Sequence, residues 1–243
     1  PITPQTHIVE ELAAMVANGK LNSQFINVES EHSAASVVLG SVAAGVRSFT
    51  ATSSQGLLLM AEVVFNIAGM RLPVVMTCAN RAVSAPLNIW NDHQDAITVR
   101  DSGWVQMHAE NIQEALDLHI QAYRIAEGPK IMLPVMVNMD GFILTHGLEV
   151  VDVPDQEQVD RFLPAYKPLF KLDVENPLTL GPLVDPDYYM ETRFAMHETH
   201  KDILKLIPLV QEEFRKVFNR PTGGLVEGYR IDDAEKVIVA MGS

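Results

Sequence analysis

The chain has 243 residues, of which 47% are hydrophobic and 20% charged, and its formal net charge at pH 7 is −13. This length gives one large domain or two small ones, with enough apolar residues for a substantial core. The strong negative charge excludes a surface built to bind phosphate backbones, so nucleic acid is not an expected partner. There is no run of about 18 apolar residues, and no membrane-spanning segment is predicted.

The single cysteine, Cys78, lies in an apolar run that begins at Val74. One cysteine forms no internal disulfide, and it cannot bind an iron–sulfur cluster by itself. We expect Cys78 to be a small buried hydrophobe. One cysteine beside eleven methionines fits a reducing compartment, so the cytoplasm is the expected location.

Apolar runs typical of β-strands alternate with helical patterns in the first part of the chain. The predicted strands are residues 25–28, 47–52, 72–78, 104–108 and 130–138. The predicted helices are residues 31–45, 55–69 and 111–127. This alternation predicts an α/β fold with a parallel sheet covered by helices on both faces.

The pattern changes after Gly147. A proline-rich and irregular segment is predicted at 151–186, followed by a long helix at 188–219 and a strand that runs into a glycine turn at 234–243. We therefore assign residues 1–150 to an α/β domain that is completed by an irregular and helical extension at 151–232. Residues 233–243 are assigned to the first strand of a following domain. Both ends of the chain suggest a segment of a longer polypeptide.

Polar residues follow several of the apolar segments, at the positions where open α/β sheets place their ligand sites. Glu31 is the most informative of them, because a carboxyl at the start of an apolar helix is either a cap favoured by the helix dipole or a functional acid. The others are Thr3, Ser54, Gln55, Gly56, Arg81 and the loop 92–95.

Each of these positions also has an ordinary structural interpretation. Thr3 precedes a proline and suits a turn, Ser54 suits a helix N-cap, and Arg81 could be a solvated surface charge. Gly56 would let the backbone approach a ligand closely. The loop from Asp92 to Asp95 lacks credible metal-ligand spacing, so we predict no metal in this chain and assign that loop to hydrogen bonding near the active site or a subunit interface.

Several motifs together resemble the pyruvate:ferredoxin oxidoreductase family, either the α chain of its multi-subunit form or the first domain of its single-chain form. The similarity runs over the whole chain and gains its specificity from the order of the motifs. These are Pro1-Ile2-Thr3-Pro4, Glu29-Ser30-Glu31, the segment from Thr50 to Met60, Asn80-Arg81-Ala82, Asp92-His93-Gln94-Asp95, Asp140-Gly141-Phe142 and the segment from Asp185 to Tyr189.

The resemblance implies an enzyme that oxidatively decarboxylates pyruvate with coenzyme A to acetyl-CoA and CO₂ and reduces ferredoxin. It implies a thiamine-diphosphate-binding fold of the pyrimidine-binding type, in which this domain faces the aminopyrimidine ring. Glu31 matches the family's carboxyl that hydrogen-bonds N1′ of that ring, and Ser54, Gln55 and Gly56 are expected beside the cofactor. Arg81 matches the arginine that receives the substrate carboxylate, and Thr3 matches a threonine in the same pocket.

A Gly-Asp-Gly motif with a downstream asparagine, which would hold Mg²⁺ and the diphosphate, is missing. Met139-Asp140-Gly141 lacks the asparagine. We therefore expect a diphosphate-binding partner subunit that holds the Mg²⁺ and shares the cofactor, and an iron–sulfur partner subunit that carries [4Fe-4S] clusters. The expected enzyme is a hetero-oligomer of anaerobic metabolism that is active only in complex.

Two alternatives stay open at this point. The chain could serve a family member that acts on another 2-oxo acid, such as a branched-chain or aryl 2-oxo acid or oxalate. It could also be a non-catalytic α/β assembly subunit. Glu31 and Arg81 argue against the second alternative, because a scaffold has no need of both at strand ends.

Overall fold

The structure is a computed structural model that describes residues 1–243. Its four strands form one parallel sheet in the order β1-β2-β4-β3, which confirms the predicted α/β class. The strands are β1 (Phe49–Thr52), β2 (Val75–Asn80), β3 (Val105–His108) and β4 (Val135–Asp140).

The central strands β2 and β4 are the most deeply buried part of the sheet. All six residues of β2 are buried, and they pair in register with β4 from Val75 opposite Val135 to Asn80 opposite Asp140. Cys78 is fully buried on β2, as predicted, and burial together with the nearby Asp95 raises the pKa of its thiol well above the ordinary value. A thiol in this state is inert.

Helices cover both faces of the sheet and enclose two hydrophobic clusters. One cluster packs under α2, α3 and α4, and the other packs under α6, α8 and α9. No helix of the chain combines the length and apolar character needed to cross a membrane. The helices are α1 (Thr6–Ala17), α2 (Glu31–Ala43), α3 (Ser54–Leu59), α4 (Ala61–Gly69), α5 (Gln94–Thr98), α6 (Ile112–Ala126), α7 (Ile143–His146), α8 (Gln156–Phe162) and α9 (Pro186–Phe218).

Side-chain caps explain where three of these helices begin. Ser30 accepts from Ser33 N at the start of α2, and Asn111 accepts from Glu114 N at the start of α6. Asp185 caps α9, whose first residue is a proline that needs no hydrogen-bond acceptor there. The caps fix the N-terminus of α2, and with it the position of Glu31.

Two predicted strands are absent. Residues 25–28 and 234–243 are not strands, because neither segment lies beside another strand with which it could exchange backbone hydrogen bonds. Ile26, at 56% exposure, and Val239, at 86%, are apolar without being core residues. The division of the chain into domains at 150 and 232 stays a prediction.

Several boundaries also differ from the predictions. Strands β2 and β4 begin after Pro73 and Pro134, because a proline has no N–H to give to the sheet. The helix predicted at 55–69 divides at Met60, whose N–H is shared between the carbonyl oxygens of Gly56 and Leu57. Helix α1 was not predicted, and α8 lies within the segment predicted to be irregular.

Candidate active site

The carboxyl ends of the four parallel strands lie at one edge of the sheet, where open α/β folds bind their ligands. Strand β1 leads through Thr52 and Ser53 into α3, and β2 leads through Asn80 to Arg81. Because β1 and β2 are neighbours, the segments that follow them meet at this edge. This is where the structure brings together the residues singled out by the sequence.

Arg81 joins two of the predicted site residues. Its guanidinium donates through Nη1 to the carbonyl oxygen of Thr3 and through Nη2 to Gln55 Oε1, the latter at 2.9 Å. The residue is only 6% exposed, and its Nε has no acceptor within the chain. Burial lowers the pKa of Arg81, while the carboxylate of Asp95 opposes that shift. Arg81 is thus a buried cation with an unused donor, and not the solvated surface charge considered above.

Thr3 takes part through its backbone. Its carbonyl oxygen accepts from Arg81, while its side chain is on an exposed residue at the same edge. The prediction that the Thr3 hydroxyl contacts substrate or cofactor stays a prediction.

Glu31 and Gly56 face each other. A Cβ added to Gly56 would lie 3.0 Å from Glu31 Cγ, 3.2 Å from Glu31 Oε1 and 2.5 Å from Thr52 Oγ1. The absence of a side chain at Gly56 therefore gives the Glu31 side chain its place, beside the end of β1. Gln55 and Gly56 are consecutive, so one turn of α3 contacts Arg81 through the first residue and Glu31 through the second.

Ser54 has a different role from the predicted N-cap. The N-cap position of α3 is Ser53, which makes no side-chain capping bond. Ser54 has φ +48°, in the left-handed region that residues with a Cβ seldom occupy. Its N–H donates to Asp95 Oδ2 at 2.9 Å, and its hydroxyl donates to the carbonyl oxygen of Ala82 at 2.7 Å. These bonds connect the start of α3 to the segment that follows β2.

The four side chains of the loop 92–95 point to separate partners. Asp92 accepts from Gln94 N, His93 Nε2 lies 2.9 Å from Asp140 Oδ1, and Gln94 accepts from Val83 N. Asp95 turns inward and is fully buried. No three His, Cys, Asp or Glu side chains of the chain are grouped so as to hold a metal ion.

Hydrogen bonding near the active site or a subunit interface was predicted for the loop 92–95 as a whole, without distinguishing the buried carboxylate of Asp95. Its Oδ2 accepts from the backbone N–H groups of Ser54 and Arg81, and its Oδ1 accepts from Asn80 Nδ2 and Ala96 N. The only signal in the sequence was a carboxyl directly before the apolar pair Ala96 and Ile97, which suits an inward-facing residue.

A second polar cluster lies at the ends of β3 and β4. Asp140 Oδ2 accepts from the N–H and hydroxyl of Ser243, while His93 contacts Oδ1. The ring of His108 lies 5.0 Å from that of His93. Burial, and to a lesser extent His93, lowers the pKa of His108 to about 4, with Asp140 acting in the opposite direction. His108 is therefore neutral at physiological pH.

The fold and the site together define an α/β ligand-binding domain of the kind that enzymes use, with a carboxylate and a buried arginine at the carboxyl edge of its sheet. Residues 1–212 match the family described as "Pyruvate flavodoxin/ferredoxin oxidoreductase, thiamine diP-bdg". The chain therefore belongs to the pyruvate flavodoxin/ferredoxin oxidoreductase family, as the resemblance of its motifs predicted.

Curated relatives match the full length of the chain. It is 56% identical to pyruvate synthase subunit PorA of Methanocaldococcus jannaschii and 50% identical to that of Thermotoga maritima. It is 46% identical to ketoisovalerate oxidoreductase subunit VorA of Pyrococcus horikoshii. All three alignments cover 100% of this chain, which spans 63%, 62% and 61% of the three relatives, respectively.

A solved structure supports the fold. The chain is similar to a 2-oxoglutarate:ferredoxin oxidoreductase from Magnetococcus marinus, with a TM-score of 0.62 at 18% identity. The similarity covers 84% of this chain and 41% of that one. At this level of identity the likeness concerns the fold alone.

The residues at the site fit one end of thiamine diphosphate, the group named in the family description. The Glu31 carboxylate is half-buried and makes no hydrogen bond within the chain, and Thr52 Oγ1 is buried without a partner. Both lie against Gly56, where the absence of a Cβ leaves room for these two side chains and lets the carboxylate keep its free hydrogen-bonding capacity beside α3. Asp140 of the motif Met139-Asp140-Gly141 contacts His93 and accepts from Ser243, and the assignment of the diphosphate end to a partner stays a prediction.

Proposed function

We propose that this chain is the pyrimidine-binding part of a 2-oxo acid:ferredoxin oxidoreductase that oxidatively decarboxylates pyruvate with coenzyme A. The products are acetyl-CoA, CO₂ and reduced ferredoxin. One observation carries this proposal: Gln55 contacts the buried arginine and Gly56 lies against the free carboxylate of Glu31, so both groups meet one turn of α3 at the carboxyl edge.

The residues of the chain would make two kinds of contact, one set with the cofactor and one with the substrate. Thiamine diphosphate, when bound, supplies a carbanion nucleophile and stabilises the electrons left by decarboxylation. Glu31 would hydrogen-bond N1′ of the pyrimidine and share a proton there, and Gly56, having no Cβ, would let the Glu31 side chain keep that position. Ser54 and Gln55 would form the adjoining wall of that site. Arg81 would take the carboxylate of the 2-oxo acid through its unused Nε and the second hydrogens of its Nη groups.

The remaining parts of the enzyme belong to partners. A diphosphate-binding subunit would supply Mg²⁺ and hold the charged end of the cofactor. An iron–sulfur subunit with [4Fe-4S] clusters would take the electrons to ferredoxin, since the single cysteine of this chain is buried and inert. The high identity to subunits named pyruvate synthase favours a hetero-oligomer of this kind.

A branched-chain 2-oxo acid is the second candidate substrate. The relative named ketoisovalerate oxidoreductase subunit VorA is 46% identical to the chain, which is below the 50–56% identity of the pyruvate synthase subunits. The difference favours pyruvate.

Replacing Arg81 by lysine in the assembled complex tests the proposal. Lysine keeps the positive charge but loses the two-pronged fit, so kcat/KM for pyruvate should fall by about 10- to 100-fold. The affinity for thiamine diphosphate should stay unchanged. Steady-state rates with a panel of 2-oxo acids, including 2-oxoisovalerate, identify the preferred substrate in the same experiment.

Arg100→Lys is the matched control. Arg100 is an exposed arginine that donates to the carbonyl oxygen of Ile97, away from the site edge. The substitution Arg100→Lys should leave kcat/KM for pyruvate and the affinity for thiamine diphosphate unchanged. Equal losses of substrate use and cofactor affinity in Arg81→Lys would show instead that Arg81 braces the fold or the cofactor.

A further inference from the structure

Asp95 is a buried carboxylate that forms no ion pair. It is fully buried, and four N–H groups donate to its two oxygens. Oδ2 accepts from the backbone N–H groups of Ser54, at 2.9 Å, and Arg81, at 3.1 Å, and from the Cys78 thiol at 3.6 Å. Burying a charge is costly unless it is well hydrogen-bonded, so a carboxylate in this place needs a reason beyond packing.

The two backbone groups on Oδ2 belong to different strand ends. Ser54 follows β1 and Arg81 follows β2, so a single oxygen atom bridges the two segments that form the site. Ser54 has the unfavourable φ of +48°, and a charge-assisted hydrogen bond to its N–H stabilises that conformation. Without the bridge, the first turn of α3 would be free to relax away from Arg81.

A hydrogen bond between side chains also joins the two segments. Gln55, the residue after Ser54, accepts from Arg81 Nη2 at 2.9 Å. Asp95 thus sets the spacing of the two backbones, and Gln55 and Arg81 then meet across that spacing. On the other side, Asn80 Nδ2 donates to Asp95 Oδ1 at 2.9 Å and to Asn138 Oδ1 at 3.0 Å, which fixes the carboxylate relative to β4.

From this geometry we infer that Asp95 is the positioning residue that fixes the Arg81 guanidinium for the 2-oxo acid carboxylate. It acts through the Ser54 and Arg81 backbone and does not touch the substrate. The inference rests on the proposed role of Arg81. On this inference, use of the anionic substrate depends on Asp95, a carboxylate that would by itself repel that substrate.

Asp95→Asn in the assembled complex is the direct test. The amide keeps the shape but in either orientation turns its N–H₂ group towards two N–H donors, on the Oδ2 side or on the Oδ1 side, so the carboxylate can no longer hold all four and the bridge is weakened. KM for pyruvate should rise about tenfold while the affinity for thiamine diphosphate stays within twofold. Asp92→Asn, which makes the same charge change on an exposed residue of the same loop, is the control and should leave KM unchanged.

A double-mutant cycle separates positioning from a general loss of stability. If Asp95 acts through Arg81, adding Asp95→Asn to Arg81→Lys should lower kcat/KM by less than about twofold further, instead of the roughly tenfold loss expected in the wild-type background. Multiplying losses would overturn the inference, as would a lowered Tm with unchanged KM.

Hydrogen exchange of the backbone amides gives a readout that does not depend on the reaction. Asp95→Asn should speed exchange at Ser54 and Arg81 by at least tenfold and leave the amides of α6 unchanged. If Arg81→Lys leaves KM unaltered, the substrate assignment fails, and the amide result still decides whether Asp95 bridges the strand ends. Should Asp95→Asn not fold, Asn80→Ala removes a donor to Oδ1 and retains the carboxylate; an unchanged KM in that variant would count against the inference.

Discussion

Glu31 shows how one side chain depends on the missing side chain of another. The carboxylate takes its position because Gly56 leaves the space beside it open, and it keeps its hydrogen-bonding capacity because nothing in the chain uses it. A cap residue would spend that capacity on the helix, and here Ser30 is the residue that caps α2. Ser30 therefore supplies the side-chain cap of α2, Glu31 lies in its first turn, and the role of Glu31 as a functional acid stays a prediction.

Glu31→Gln should leave the fold intact and slow proton exchange at C2 of bound thiamine diphosphate by about 10²- to 10⁴-fold in the assembled enzyme. An amide can donate to or accept from the pyrimidine, but it cannot share a proton with it, and loss of one proton-transfer group has this size of effect. The measurement is NMR-detected exchange after acid quench. Glu29→Gln, which removes a nearby carboxylate bonded to Ser33, should exchange at the wild-type rate. An unchanged rate in Glu31→Gln would remove that residue from the mechanism.

At the scale of elements, the end of β3 carries a group that is sensitive to pH. His108 ends β3, its Nδ1 is buried without a partner, and its pKa is about 4. The unfolded chain binds a proton at this residue near the ordinary pKa of about 6.5, whereas the folded chain does not until about pH 4. The stability contributed by His108 is therefore complete above pH 6.5 and is lost as the pH falls from there to 4.

His108→Asn should accordingly flatten the pH dependence of the free energy of unfolding. Between pH 7 and pH 5 the wild-type chain should lose about 1–2 kcal/mol more than the variant, since each pKa unit corresponds to about 1.4 kcal/mol and partial exposure weakens the effect. Urea unfolding at the two pH values measures the difference. His7→Asn, on an exposed residue of α1, serves as the control, and parallel pH profiles for wild type and His108→Asn would contradict the assignment.

Sequence patterns predicted the helices and strands better than they predicted which segments contact each other in the fold. The buried strands β2 and β4 and the capped helices α2 and α6 were visible because apolar runs and caps are local signals. Residues 25–28 carry the same local signal but lack a neighbouring strand, and this depends on the whole fold. The predicted site residues Glu31, Gln55 and Arg81 were singled out at strand ends. Asp95 was named only as part of its loop, since three of its four N–H donors, those of Ser54, Asn80 and Arg81, lie outside that loop.

At the scale of the whole molecule, the charge of the chain limits what it can bind unaided. A net charge of −13 repels a diphosphate, and no group of side chains is arranged to hold the metal that would neutralise it. The pyrimidine contacts alone involve too few groups for tight binding. The charged end of the cofactor is accordingly assigned, as proposed above, to a second protein surface.

Calorimetry of the chain alone with thiamine diphosphate and Mg²⁺ should show no binding in the micromolar range, and no turnover of pyruvate. Both should appear when the diphosphate-binding partner is added. The partner with thiamine diphosphate but without this chain is the control for cofactor that binds elsewhere. Micromolar affinity and turnover by the chain by itself would refute the shared site.

The two hydrophobic clusters have a consequence for how this sequence can change. Helix α8 packs on α9 through Phe162, which contacts Phe214 and Phe218 of α9. This contact lies on the face of the sheet opposite α2, α3 and α4. The first turns of α9 are exposed throughout. Surface residues there can be rewritten to suit a new neighbour while Glu31 and Arg81 keep their positions. The surface that α9 presents to other proteins can therefore change in evolution independently of the candidate active site.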